Sequence, residues 1–266
     1  MYRLYETELK YPFASNYTNY YEIYAESGGP GGLEFTEFIA EKLNISPGMR
    51  LLDINTYRGY KSCFLAREFD VLVVGIEPMN SISYNQPSIE HLENNAEKWG
   101  VKNKVIGIKT GILDSRFANN TFDAVYSTTS LKMATQSFSN KEKSLDCFNE
   151  IYRILRPNGL IGIGEPMIID EKIPVDLEPA ISNSQSAIMW KKHFKTIDTI
   201  IENVEFAGFE IVEADYAADG KKWWQQYADY YPEYVNNPDH ADIAVIKADN
   251  GRWLSLGYVI AKKPAF

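Results

Sequence analysis

The sequence predicts an α/β fold built on a mostly parallel, doubly wound sheet. Three observations predict it. Short apolar runs alternate with longer amphipathic stretches from residue 49 to residue 166, the rhythm of right-handed strand–helix–strand crossovers. The run VLVVGIE (71–77) is almost wholly apolar, as in a strand covered on both faces. Gly, Pro and Asn close most segments, so the elements stay short and separate.

Each element follows in chain order. Residues 1 to 25 are aromatic and polar without a clear period, and are read as an arm that packs over something; seven of the 18 tyrosines fall in the first 24 residues. GGPGG (28–32) is a turn-rich hinge. LEFTEFIAEKL (33–43) carries apolar residues at 35, 38, 39 and 43, a helical stripe broken by NISPGM. MRLLDIN is the first strand and GYKSCFLAREF a helix; VLVVGIE is the second strand and PSIEHLENNAEKWG a helix ending at Gly100. KVIGIKT and TFDAVYST are the third and fourth strands, KEKSLDCFNEIYRIL a helix stopped by RPNG, and GLIGIGEP the fifth strand. After Pro166 the rhythm breaks. TIDTIIENVEFAGF is a helix, EIVEADY a sixth strand and GRWLSLGYVIAKKP a seventh, with an aromatic-rich insertion between those two strands. The economical reading is one domain over 1–266: an arm (1–32), a core (33–166), and lid insertions at 167–195 and 217–250.

Composition limits the partners. A net charge of −9 gives no basic face for nucleic acid, and no apolar run approaches the roughly 18 residues that span a bilayer. The start, MYRLYETELKYPF, lacks the basic-then-apolar order of a secretory signal. Cys63 and Cys147 both fall in expected helices and read as reduced core thiols rather than a disulfide or a metal pair. The expectation is a cytoplasmic protein with no resident metal.

In an open parallel sheet a ligand sits beyond the carboxyl ends of the strands, near the first strand–helix turn. Asp53 ends the first strand there, followed by a turn whose last residue before the helix is Gly59. Glu77 ends the second strand, placed to accept hydrogen bonds from two ribose hydroxyls. TGILDSRF follows the third strand, where a purine edge would lie.

At these residues the chain resembles the class I S-adenosylmethionine-dependent methyltransferases, over roughly residues 30 to 215 and the last strand. LLDINTYRG is similar to the family's first motif, Asp-x-Gly-x-Gly-x-Gly after two apolar residues, and GIEP to its second. LDSRFANNTFDAVYST, CFNEIYRILRPNGLIGIGEP and FAGFEIVEAD resemble later segments in the same order. The resemblance implies a Rossmann-like seven-stranded sheet with helices on both faces. It implies S-adenosyl-L-methionine as cofactor and S-adenosyl-L-homocysteine as product, with a small-molecule acceptor. The first turn departs from the pattern, since Asn55 and Tyr57 stand where glycines are expected. Such a turn suits a dinucleotide pyrophosphate poorly but admits a methionyl tail, with Arg58 a conceivable carboxylate partner. YEIYAESGGPGGLEFTEF is similar to the segment ahead of the core in phosphoethanolamine methyltransferases, which implies that Tyr21 and Ser27 touch cofactor and substrate.

The cofactor-binding set expected is therefore Ser27, Asp53, Asn55, Tyr57, Gly59, Glu77, Pro78, Met79, Ile112, Leu113 and Ser127, with Asp114 near the adenine amine. The candidates for catalysis are Tyr21 by cation–π contact, Glu165 as base or anchor, and His193 as general base. Tyr17, Tyr20 and Tyr24 share the cation–π reading, Thr128 and Thr129 face the substrate side, and His240 is a second possible base. WWQQYADYYPEY covers the pocket mouth or forms an interface, which leaves a homodimer open. Two other functions stand beside methyl transfer: a weak or inactive methyltransferase-fold subunit, motivated by the glycine-poor turn, and a nicotinamide oxidoreductase.

Overall fold

The computed structural model describes residues 10–81 and 86–265, so the first nine residues of the arm, Tyr2 and Tyr5 among them, lie outside the described residues. Seven strands form one sheet: β1 Arg50–Ile54, β2 Leu72–Ile76, β3 Val105–Ile108, β4 Phe122–Thr128, β5 Leu155–Ile168, β6 Glu210–Tyr216 and β7 Leu254–Lys262. The order is β3-β2-β1-β4-β5-β7-β6. Pairing is parallel from β3 through β5, and β7 runs antiparallel to both its neighbours. The expected seven-stranded, mostly parallel sheet is the sheet observed.

The helices are α1 Tyr20–Ser27, α2 Gly32–Lys42, α3 Tyr60–Glu68, α4 Ser88–Lys98, α5 Leu131–Ala134 and α6 Lys141–Ile154. They continue with α7 Glu178–Ser182, α8 Gln185–His193, α9 Ile197–Phe206, α10 Gly220–Tyr230, α11 Pro232–Val235 and α12 Ala241–Asp249. Among the described residues no helix is long and apolar enough to cross a membrane.

Strand periodicity sets the layers. Leu51 and Leu52 are adjacent, yet Leu51 packs in a core with Ile39, Phe64, Leu92 and Trp223, while Leu52 packs on the other face with Phe148, Ile151 and Val204. Successive side chains point to opposite faces, and both faces are roofed by helices, so both leucines are buried. Full burial of such a side chain contributes about 1.5–3 kcal/mol.

Two expectations shift. β5 begins at Leu155 rather than Gly159, because Asn158 takes a left-handed turn (φ 65°) and the ladder to β4 slips between Phe122 and Ala124. The arm, expected without periodic structure, contains helix α1. Its N-cap is Asn19, whose Oδ1 accepts from Glu22 N at 3.3 Å. The spacing Asn19-x-x-Glu22 is a capping signal available in the sequence. Ahead of α1 the chain is fixed by buried Glu37, which accepts from Phe13 N (3.0 Å) and Ala14 N (2.6 Å).

The two lid segments share a third core, in which Ile168, Leu177 and Phe194 meet Trp224, Tyr234, Ile246 and Trp253. The rings of the insertion are thus spent inside the chain, over the sheet's carboxyl edge.

Candidate active site

The strand order reverses between β1 and β4, and a crevice opens where the two diverge. The β1–α3 turn shapes its floor. Asn55, Tyr57 and Gly59 all take left-handed backbone, with φ of 56°, 57° and 69°. The turn therefore keeps a backbone path that glycine adopts freely, with non-glycine residues at two of its three positions. Asn tolerates this region; for Tyr57 it costs about 1–2 kcal/mol. At Gly59 a Cβ would lie 2.4 Å from Leu92 Cγ. Gly59, expected in the cofactor set, makes room for helix α4 and lines neither cavity described below.

Asp53 anchors the turn. Its Oδ2 accepts from Thr56 Oγ1 (2.8 Å) and Ser62 Oγ (2.5 Å). Burial pushes its carboxyl up to about 6, against the pull of those two hydroxyls. Glu77 is also buried and its carboxyl is raised by desolvation; it accepts from Met79 N (2.9 Å) and Tyr57 N (3.0 Å). It thereby ties the end of β2 to the turn, with carboxylate lone pairs left for further donors.

A cavity of about 530 Å³ lies over these groups. Ser27, Asp53, Asn55, Tyr57, Glu77, Pro78, Met79, Ile112 and Leu113 line it, as does Asp114. It is apolar toward β3 and polar toward β4. A second cavity of about 680 Å³ adjoins it, with Thr129 and Met133 lining both. Trp190, Phe194, Trp224, Tyr227, Tyr231 and Tyr234 wall the second cavity, with His193 at its edge, Nδ1 2.7 Å from Ser137 Oγ.

Several expected residues are elsewhere. Ser127 points between β1 and α5: its Oγ donates to Ile54 O at 3.1 Å, and it lines neither cavity. Glu165 caps α5, accepting from Ser130 N (2.8 Å) and Leu131 N (2.5 Å) and pairing with Lys132 Nζ at 3.1 Å. It is a structural carboxylate rather than a base facing a ligand. Tyr21 is 56% exposed and edge-on to Tyr230 at 5.2 Å, away from both cavities. Tyr20 and Tyr24 stack on Tyr230, and Tyr17 on Trp99, so these three rings fasten the arm to the body, and none of them lines either cavity. Arg58 points to the arm, its Nη1 2.9 Å from Glu26 Oε1, and does not line the cavity. His240 caps α12, Nδ1 accepting from Asp242 N.

Sequence reasoning missed Lys61. Its Nζ donates to Thr128 Oγ1 (3.0 Å) and Thr129 Oγ1 (3.2 Å) at the polar end of the first cavity. Burial brings its ammonium down to about 8, partly offset by Asp53 and Glu165. The signal was helical spacing: Phe64 and Leu65, three and four residues on, are both core, so Lys61 sits on a buried face.

The donor set fits S-adenosylmethionine. Apolar walls at β3 suit a purine, Glu77 suits ribose hydroxyls, and the ends of β1 and β4 offer the Asp53 carboxylate and the Lys61 ammonium to an amino-acid tail. This sheet order, its reversed seventh strand and this cavity at the switch point are the fold of the class I S-adenosylmethionine-dependent methyltransferases. Residues 33–243 match the mycolic acid cyclopropane synthetase family, and the chain belongs to it. A sterol 24-C-methyltransferase of Aspergillus fumigatus is 26% identical over 193 residues, 68% of this chain and 45% of that protein. The chain spans about half the length, or less, of the curated relatives it matches first. Two solved structures share the fold. The 4+2 cyclase SpnF has a TM-score of 0.63 at 19% identity, covering 88% of this chain and 82% of that one. Phosphoethanolamine N-methyltransferase 2 of Haemonchus contortus has a TM-score of 0.67 at 18% identity, covering 96% and 60%.

Proposed function

We propose that the protein transfers a methyl group from S-adenosylmethionine to an apolar small molecule seated in the aromatic cavity. The observation that carries this is the junction of the two cavities at Thr129 and Met133. In this reading adenine lies against Met79, Ile112 and Leu113, and the ribose on Glu77. The tail runs past Asp53 toward β4, with Ser27, Asn55 and Tyr57 along it. The cofactor supplies an electrophilic methyl carbon on a sulfonium. The chain's own contribution is to align an acceptor with that carbon and to keep water out, through the aromatic walls and the arm.

The lining argues for the class of acceptor. Among the described residues Lys132 is the single Lys or Arg around the second cavity and is already paired with Glu165, while Glu233 and Asp242 are both present. That balance disfavours a phosphorylated acceptor, and six aromatic rings favour a hydrocarbon body. The name of the Aspergillus relative, a sterol C-methyltransferase, agrees with an apolar acceptor. His193 is placed to accept a proton released after transfer. The net charge of −9 supports no role for nucleic acid, and two buried, unpaired cysteines support a reducing, cytoplasmic setting. With the insertion's rings buried, a homodimer forms no part of the proposal.

Titration calorimetry with S-adenosylmethionine and S-adenosylhomocysteine tests the cofactor; no binding at millimolar ligand refutes it. Incubation with methyl-labelled cofactor and separated lipid and polar extracts tests the acceptor. Label is expected in the neutral-lipid fraction. Label confined to water-soluble phosphorylated amines would overturn the acceptor class.

A further inference from the structure

We propose that Lys61 is the specificity residue for the carboxylate of the cofactor's amino-acid tail. The inference rests on the cofactor reading above and adds to it the residue that recognises the tail.

The first observation is an imbalance of charge. The other cations at or beside the two cavities have acidic partners: buried Arg58 has Glu26, and half-buried Lys132 has Glu165. Lys61 is buried as Arg58 is, yet among the described residues no carboxylate lies within 4.0 Å of its Nζ, and Asp53 and Glu165 act on it only from farther away. Its two acceptors at that nitrogen are neutral hydroxyls, Thr128 Oγ1 and Thr129 Oγ1. Withdrawing an ammonium from water is costly unless an opposite charge or a full set of acceptors replaces the water. An ammonium has three donors, and two are spoken for. The third meets the cavity that Lys61 lines.

The second observation is direction. Along the sheet the cavity runs from β3 through β2 and β1 to β4. Its apolar walls, Ile112 and Leu113, follow β3, and Glu77 ends β2. A nucleoside placed on those groups sends its tail across β1 to the end of β4, where Thr128 and Thr129 hold Lys61. Lys61, the one ammonium that lines the cavity among the described residues, stands where the ligand's carboxylate arrives. The turn at Asn55–Tyr57 need not recognise the tail by close backbone approach, because a side chain from the first turn of α3 does so by charge. A glycine-poor turn and a buried lysine two residues beyond Gly59 are then two parts of one arrangement.

The test compares S-adenosylmethionine with decarboxylated S-adenosylmethionine, which keeps the sulfonium and the amine and lacks only the carboxylate. Dissociation constants are read by titration calorimetry, without turnover. Wild type is expected to prefer the carboxylate-bearing ligand on the order of 10- to 100-fold, the range of a charged hydrogen bond. In Lys61→Met that preference should fall below about 3-fold, through weaker binding of S-adenosylmethionine alone, and Lys61→Arg should restore part of it. Lack of preference in wild type overturns the inference without any variant. Equal weakening of both ligands in Lys61→Met, with the preference intact, also overturns it and leaves Lys61 a strut for Thr128 and Thr129. If wild type binds neither ligand, the cofactor reading itself fails and takes this inference with it.

Discussion

Gly59→Ala should destabilise the chain by about 2–5 kcal/mol, and the structure divides that figure into two parts. The first is backbone: at φ 69° a residue with a Cβ carries a left-handed penalty of about 1–2 kcal/mol. The second is space. The new methyl would lie 2.4 Å from Leu92 Cγ and 2.8 Å from Leu92 Cβ and Cδ1, and Leu92 is fully buried between α3 and the sheet. Overpacking of that kind costs about 1–3 kcal/mol. Urea denaturation followed by circular dichroism measures the sum, and a melting temperature about 5–20 °C lower is the thermal counterpart. In a Leu92→Ala background the contacts with Cγ and Cδ1 vanish and only the 2.8 Å contact with Cβ remains, so Gly59→Ala should then cost clearly less than in the wild type. A loss under about 1 kcal/mol in the wild-type background, or strictly additive effects in the double mutant, would refute the account of why this glycine is present.

Tyr57→Gly relieves a left-handed tyrosine but gives up the ring's packing on Gly28 and Arg58, so stability should stay within about 1 kcal/mol and cofactor affinity within about 5-fold. An affinity gain of 100-fold in calorimetry would instead make Tyr57 a plug. Glu77→Ala should weaken cofactor binding by about 1–3 kcal/mol, and unchanged affinity would remove Glu77 from the site. Burial pushes both thiols, Cys63 and Cys147, up to about 12, so a disulfide reagent at pH 8 should titrate neither in the native chain and both in guanidinium. Lys61 faces Asp53, Glu165 and Lys132, and burial has lowered it to about 8, so it loses its charge as pH rises through that value. The preference for the carboxylate-bearing cofactor should therefore be full below about pH 7 and decline above about pH 8, and a preference constant to pH 9.5 would contradict the charge argument.

The strands were legible because a parallel sheet covered on both faces writes itself as short apolar runs, and all seven fall where those runs fall. The lid helices were harder. Trp224, Tyr227, Tyr231 and Tyr234 are spaced three, four and three apart, a helical stripe that aromatic abundance disguises as mere covering. At the site, residues fixed by strand ends were predictable: Asp53, Glu77 and Ile112 reach the cavity because strand order puts them there. Residues whose role depends on which neighbour they meet were not. The sequence reads Glu165 as a strand-end carboxylate like Glu77, yet β5 runs on to Ile168, and α5 presents its amide groups and takes the carboxylate. The turn misleads in a different way. Its composition suggests that left-handed backbone has been lost, whereas Asp53, Glu77 and α3 constrain Asn55 and Tyr57 into it.

The arm crosses both cavities within four residues. Ser27 and Gly28 line the first, Gly29 and Pro30 the second, and Thr129 Oγ1 donates to Gly28 O at 2.9 Å between them. Tyr24 Oη reaches Gln226 at 2.9 Å, which joins the same segment to α10. A ligand in either cavity thus meets one shared strip of chain. On the proposed reading, with cofactor and acceptor in the two cavities, any effect that one has on the other through Ser27–Pro30 is reciprocal and equal in factor.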